Sequence, residues 1–191
     1  MDIGWDDYDI YQKHVTMVAY EVETIIECCK HYESLINEID NNGLDVVNIA
    51  PSFFSEIISS LKYKIIVGTR KIFDDIGSGN FKKLLNSRSL NEKYYKKLKD
   101  IFKQSLKELK KYDDIMKMIK NDRNKYYSHL EKNFFDGIIT NKIFEKQNFN
   151  KLNKLLDWAW HVLSKIMQKT NAFIPEKVYN IDVNKLFTKL K

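Results

Sequence analysis

Apolar residues recur at alternating steps of three and four along the first part of the chain: Tyr8, Tyr11, Val15, Val18, Val22, Ile25, Cys29, Tyr32, Ile36 and Ile39. Such a stripe keeps to one face of an α-helix and to no face of a strand. Sustained over this span, it predicts a single helix of about 45–50 Å at ~1.5 Å per residue. A helix so long and so one-sided must bury its stripe against partners of similar length. In a chain of 191 residues, that points to a helical bundle.

The rest of the chain follows suit. With Gly 6 and Pro 2, breakers are scarce and long helices are favoured. Asn41-Asn42-Gly43 ends the first helix. Pro51 and Ser52 open a second, whose stripe is Phe54, Ile58, Leu61, Ile65, Gly68 and Ile72. Gly68 would allow another helix to approach closely. Gly77-Ser78-Gly79-Asn80 reads as a turn, since no strand precedes it to build a phosphate-binding loop. The third segment starts near Asn91. Its stripe runs through Tyr95, Leu98, Phe102, Ser105, Leu109, Tyr112, Met116 and Ile119, then Arg123, Tyr126 and Leu130. It forms either one helix or two with a kink near Lys111-Tyr112-Asp113. Residues 131–148 read as irregular, with Gly137 as a breaker. The last long helix spans about Asn150 to Lys169, Pro175 closes that region, and Asp182 could cap a short helix in a tail over 176–191. The expectation is an all-α, up-and-down antiparallel bundle of four to five main helices, as one domain over 1–191.

Charge is unevenly placed. Residues 1–46 carry eleven acidic and two basic side chains, a net of −9, and the remainder a net of +15. A basic body suggests a polyanionic partner. Eight lysines between Lys93 and Lys111 crowd the helix that leads to residue 123. No apolar run approaches the roughly 20 residues of a membrane span. The start, Met1-Asp-Ile-Gly-Trp-Asp-Asp, does not read as a signal peptide. Cys28 and Cys29 are neighbours that cannot bridge without strain. They read as small residues in a reducing compartment, and a cytoplasmic location is expected.

One short run carries chemistry: Arg123-Asn124-Lys125-Tyr126-Tyr127-Ser128-His129. Arginine is a permanent cation whose fork of donors matches phosphate. Histidine is the side chain whose ordinary pKa lies nearest neutrality. Arg123 also occupies a stripe position where an apolar residue is expected. It could pair with a buried acid from the first helix, extend its head to the bundle end, or line a cleft built for an anion. On an ideal helix the six-residue step to His129 is about 120° around the axis and ~9 Å along it. Either the helix deforms there, or a second copy of the motif completes the site.

Arg-Asn, four residues, then His resembles the signature of the HEPN superfamily. The surrounding run from Asn121 to Lys132 is similar to its AbiU-like abortive-infection branch, and Thr69-Arg-Lys-Ile-Phe-Asp-Asp75 resembles a helix of that branch carrying Arg-x-x-x-Asp. The resemblance implies a homodimer with paired motifs at a cleft, acting as a metal-independent endoribonuclease without a cofactor. It also implies a toxin-like or antiphage role, with RNA as substrate and an antitoxin as a further partner. His129 would be the general acid/base, Arg123 would hold the phosphate, and Asn124 would support both. Lys125, Tyr126 and Ser128 are the candidate substrate contacts: Lys125 adds positive field beside His129, and Tyr126 either stacks a base or fills the core. Asn124 stands where many relatives carry Asp. Two alternatives stay open: a HEPN module that binds RNA or a nucleotide without cutting, and a helical protein-interaction domain in which Arg123 is a structural ion-pair residue.

Other polar residues invite plainer readings. His14, His31 and His161 have no partner pattern, and Glu27 with His31 does not make a full metal-ligand set. Trp158 and Trp160 suit packing, Asp113-Asp114 suits a helix start, and Arg70 with Asp74 suits an intrahelical salt bridge.

Overall fold

Asp9 and Gln12 form a reciprocal cap at the start of the first helix. The Asp9 N–H donates to Gln12 Oε1, and the Gln12 N–H donates to Asp9 Oδ1, both at 2.9 Å. A computed structural model describes the backbone over residues 9–42, 45–73, 80–86, 92–129 and 142–172, with side chains except at 42, 45–46, 92 and 125–129. Seven α-helices lie within these residues: α1 (Ile10–Asn42), α2 (Asp45–Ile49), α3 (Pro51–Phe73), α4 (Phe81–Asn86), α5 (Glu92–Leu109), α6 (Asp113–His129) and α7 (Lys146–Thr170). No strand occurs among them, so the fold is all-α as expected. Tyr8, most of the Gly77–Asn80 turn, the Asn91 cap, Leu130, Gly137, Pro175 and the tail with Asp182 lie outside the described residues.

α1 is the spine, packed between α3 and α7. Its stripe is the one the sequence predicts: Tyr11, Val15, Val18, Val22, Ile25, Cys29 and Tyr32 are all buried. The far end of α1 meets the near end of α7 through Tyr32 and Phe149, with ring centroids 5.3 Å apart. At the other end, Gln12 Nε2 donates to the Thr170 carbonyl at 2.7 Å. These contacts make α1 and α7 antiparallel. α3 also runs antiparallel to α1, with Gly68 beside Ile25 and Phe54 clustered with Leu35. A Cβ at Gly68 would lie 2.9 Å from the Ile25 side chain, so the close approach expected there is present. α6 packs on the outer side of α3, and α5 on α7. Val15, Val22, Ile65, Leu98, Leu152 and Leu155 are sealed from solvent, and each stabilises the bundle by about 1.5–3 kcal/mol on leaving water.

Polar anchors tie the periphery to this core. The Tyr94 hydroxyl on α5 donates to Asp9 Oδ2 at 3.0 Å. Asn80, itself buried, caps α4 by accepting the Lys83 N–H at 2.7 Å. Trp158 packs between Phe81 and Tyr112 and donates its indole N–H to Glu108 at 2.8 Å. That bond holds the Glu108 carboxyl below its ordinary pKa. Burial pushes the Cys29 thiol well above its ordinary value, so it is an inert core residue.

The segment expected as one helix or two is two. A single 3₁₀ turn, Lys110–Tyr112, separates α5 from α6. This turn also corrects the predicted stripe. A 3₁₀ residue advances ~120° where an α residue advances ~100°, so three of them add about 60° of rotation. The buried face of α6 therefore moves one residue earlier. Ile115, Ile119 and Asp122 are buried, whereas Met116 and Arg123 are only partly so. Arg123 sits at the edge of the core, and its neighbour Asp122 takes the buried place. α7 starts earlier than expected, at Lys146, after a 3₁₀ turn over Lys142–Phe144. It ends at Asn171, whose φ of 55° provides the left-handed cap. No described helix is long and apolar enough to cross a membrane.

Candidate functional site

Three consecutive residues on α6 do three different jobs. Asp122 is 1% exposed. Its Oδ2 accepts the Ile143 N–H at 2.9 Å, which pins the turn before α7 to the middle of α6. Arg123 is half-buried and Asn124 is exposed. Asn124 Oδ1 accepts from Arg70 Nη1 at 2.8 Å and faces Arg123 Nη1 at 3.5 Å. Guanidinium groups have donors only, so the amide atom between them must be the oxygen. Asn124 thus presents its Nδ2 amino group away from the two arginines. Two guanidiniums converging on one neutral oxygen offer stronger bonds to a charged one, because hydrogen bonds to an anion are about twice as strong as neutral ones.

Two clefts flank α6 at this point. One, of about 250 Å³, lies between α3 and α6 and is lined by Arg70, Lys82, Lys117 and Lys120, with Asp113 as its carboxylate. Its apolar wall includes Phe73 and Met116. The other, of about 520 Å³, lies on the far side of α6, where Lys117, Asn121, Asn124 and Lys142 meet Asp114 and Asp122. Lys117 lines both. Asp114 is engaged by Lys151 Nζ at 3.1 Å, which holds its carboxyl below the ordinary range.

The predicted site residues are distributed as follows. Arg123 and Asn124 stand side by side on the surface of α6, whose main partner is α3 rather than the acidic α1. The backbone of Lys125, Tyr126, Ser128 and His129 continues the α-helix, while their side chains lie outside the described part of the structure. Because α6 is regular through His129, its backbone keeps the separation of about 120° and ~9 Å between Arg123 and His129. Arg70 is the residue that periodicity missed. The sequence suggested a local pairing with Asp74, which lies outside the described residues, yet Arg70 reaches 54 positions along the chain to Asn124. Its place in the Thr69–Asp75 run was the only signal available. Thr69 opens the same run, whereas Lys117 and Lys120 carried no signal that separates them from ordinary helix-face residues.

No curated protein and no solved structure matches the chain at a significant level. The AbiU2 family of HEPN domains matches residues 11–177. That span takes in all but the first residue of α1, the Arg70 helix and the whole Arg123–His129 run. An all-helical bundle whose motif arginine, adjoining asparagine and a second arginine meet on one helix surface, matched over most of its length, belongs to the HEPN superfamily as a member of the AbiU2 family.

Proposed function

We propose that this protein is a metal-independent endoribonuclease with a toxin-like, antiphage role, acting as a homodimer in the cytoplasm. The observation that carries this reading is the convergence of Arg70 and Arg123 on Asn124 Oδ1, beside a cleft rich in cations. A phosphodiester bound there would offer Arg123 a charged oxygen in place of its long 3.5 Å contact, while the 2.8 Å bond from Arg70 keeps Asn124 in position.

In this reading Arg123 holds the scissile phosphate and stabilises the charge that gathers on it. Asn124 is oriented by Arg70 and lends its Nδ2 donor. His129 takes the proton of the RNA 2′-hydroxyl as that oxygen bonds to phosphorus. The bond from phosphorus to the 5′-oxygen breaks, and a proton goes to the departing oxygen. The products are a 2′,3′-cyclic phosphate and a 5′-hydroxyl. The substrate supplies the nucleophile, so the reaction needs no metal-bound water. The regular helix between Arg123 and His129 favours a site shared by two copies, each copy bringing the arginine or the histidine that the other cannot aim at the same phosphate.

The test is cleavage of mixed cellular RNA in the presence of EDTA. Cleavage should persist, spare DNA and leave cyclic phosphate ends. His129→Ala should lower the rate by about 10²–10⁴, the usual loss on removing a general acid/base. Activity that disappears with the chelator, or that His129→Ala retains in full, defeats the proposal.

A further inference from the structure

The cleft between α3 and α6 contains a group that the Arg123–His129 motif does not account for. Thr69 lines it and is fully buried, yet its Oγ1 has no hydrogen-bond partner among the described residues. A threonine within a helix ordinarily satisfies its hydroxyl by donating to the carbonyl four residues back. Thr24 does so with Tyr20 at 2.8 Å, and Thr170 with Ile166 at 2.9 Å. Thr69 does not. A buried donor left without a partner is costly, and a ligand oxygen would relieve it.

The rest of the lining defines what that ligand is. Lys82 from α4, Lys117 and Lys120 from α6, and Arg70 from α3 surround a space with one carboxylate, Asp113, among the described residues. Phe73, Met116 and Ile119 give it an apolar wall. Excess positive charge, a neutral hydroxyl and an apolar wall suit a phosphate ester: oxygens meet the cations and Thr69, and the organic part rests on the wall. Lys120 stands four residues, or about 6 Å along the helix, from Asn124. That is comparable to the step between successive phosphates on one strand. Arg70 belongs to both places, since it lines this cleft and bonds Asn124.

We propose that the α3–α6 cleft is a second phosphate subsite, which takes the phosphate of a nucleotide adjacent to the one held at Arg123. The proposal rests on the RNA reading for its favoured source, a strand passing over α6. A free mononucleotide offers the same chemistry.

The test measures binding without cleavage. A labelled 2′-O-methyl oligonucleotide has no free 2′-hydroxyl and is not a substrate, and AMP and inorganic phosphate are titrated beside it. Lys117→Ala/Lys120→Ala is compared with Lys165→Ala/Lys169→Ala on α7, which removes equal charge from α7 instead. The cleft pair should weaken oligonucleotide binding about tenfold or more and reduce the slope of log affinity against log salt by about 0.7, one phosphate's share on a single strand. Thr69→Val keeps the shape and removes a neutral donor. It should weaken binding several-fold, leave the salt slope unchanged, and leave the melting temperature equal or higher. AMP or phosphate binding with the same dependence on Lys117, Lys120 and Thr69 would also support the subsite and assign it to free nucleotide. Equal losses from the cleft pair and the α7 pair, or full binding by Thr69→Val, would overturn it. Cleavage of RNA with binding insensitive to these residues would remove the subsite alone. Binding that depends on them without any cleavage would remove the ribonuclease and keep the subsite.

Discussion

Arg70 Nη1 donates to Asn124 Oδ1 at 2.8 Å, joining α3 to α6 beside the motif arginine. The bond spans two helices and sets which way the asparagine amide faces. If Asn124 acts on the substrate, Arg70 acts through it as a positioning residue. Arg70→Ala should lower kcat/KM for RNA cleavage by roughly tenfold to a hundredfold, less than the 10²–10³ lost with a donor that touches the developing charge directly. Stability should change by less than about 1 kcal/mol, because the pair is exposed. The double variant Arg70→Ala/Asn124→Ala should lose less than the sum of the two single effects. Full activity in Arg70→Ala would show that the bond is structural only.

A shared active site predicts complementation. Arg123 and His129 are about 120° apart on a regular helix, so one copy cannot readily place both on one phosphate. A two-fold axis beside residues 120–130 would bring two motifs together. The protein should therefore sediment as a dimer at micromolar concentration. Mixing inactive Arg123→Ala with inactive His129→Ala should restore part of the activity. A fully active monomer on dilution would exclude the shared site.

Asp122 is expected to matter for folding rather than chemistry. It is buried and accepts the Ile143 N–H at 2.9 Å. Asp122→Ala leaves that backbone donor without its acceptor, at a cost of about 1–3 kcal/mol. The urea midpoint should fall, and amide exchange at Ile143 should speed up. An unchanged midpoint would mean that water or a neighbouring group replaces the carboxylate.

Stability should also fall with pH before any carboxylate titrates. The Nε2 atom of His14 is buried and has no hydrogen-bond partner among the described residues. Burial, and then the charge of Lys83, hold its pKa below the ordinary 6.5. Above 6.5 the ring is neutral in both folded and unfolded chains, and the stability is present in full. As pH drops below 6.5 the unfolded chain takes up the proton first, so stability is lost until the folded form's lower pKa is passed. Urea midpoints measured between pH 7.5 and 5 should decline, and His14→Gln should flatten that part of the curve. A decline that is identical in the variant would assign it to another group.

The helices were legible because periodicity is local. The stripe from Tyr11 to Tyr32 is buried as read, Gly68 meets Ile25, and the break near Tyr112 is where the sequence allowed one. The Arg123–His129 run was legible as a motif on a helix for the same reason. What each helix shows its neighbour was not legible, because that depends on rotation and depth set by all the packed side chains together. One 3₁₀ turn of three residues rotated α6 enough to bury Asp122 in place of Arg123. Packing of α3 on α6 brought Arg70 to Asn124 and placed Thr69 in a cleft lined by cations from two other helices. The sequence by itself determined a helical bundle with a phosphate-suited motif. Only the tertiary structure decided which cations gather around that motif, because their convergence is a relation between helices that no spacing within one helix encodes.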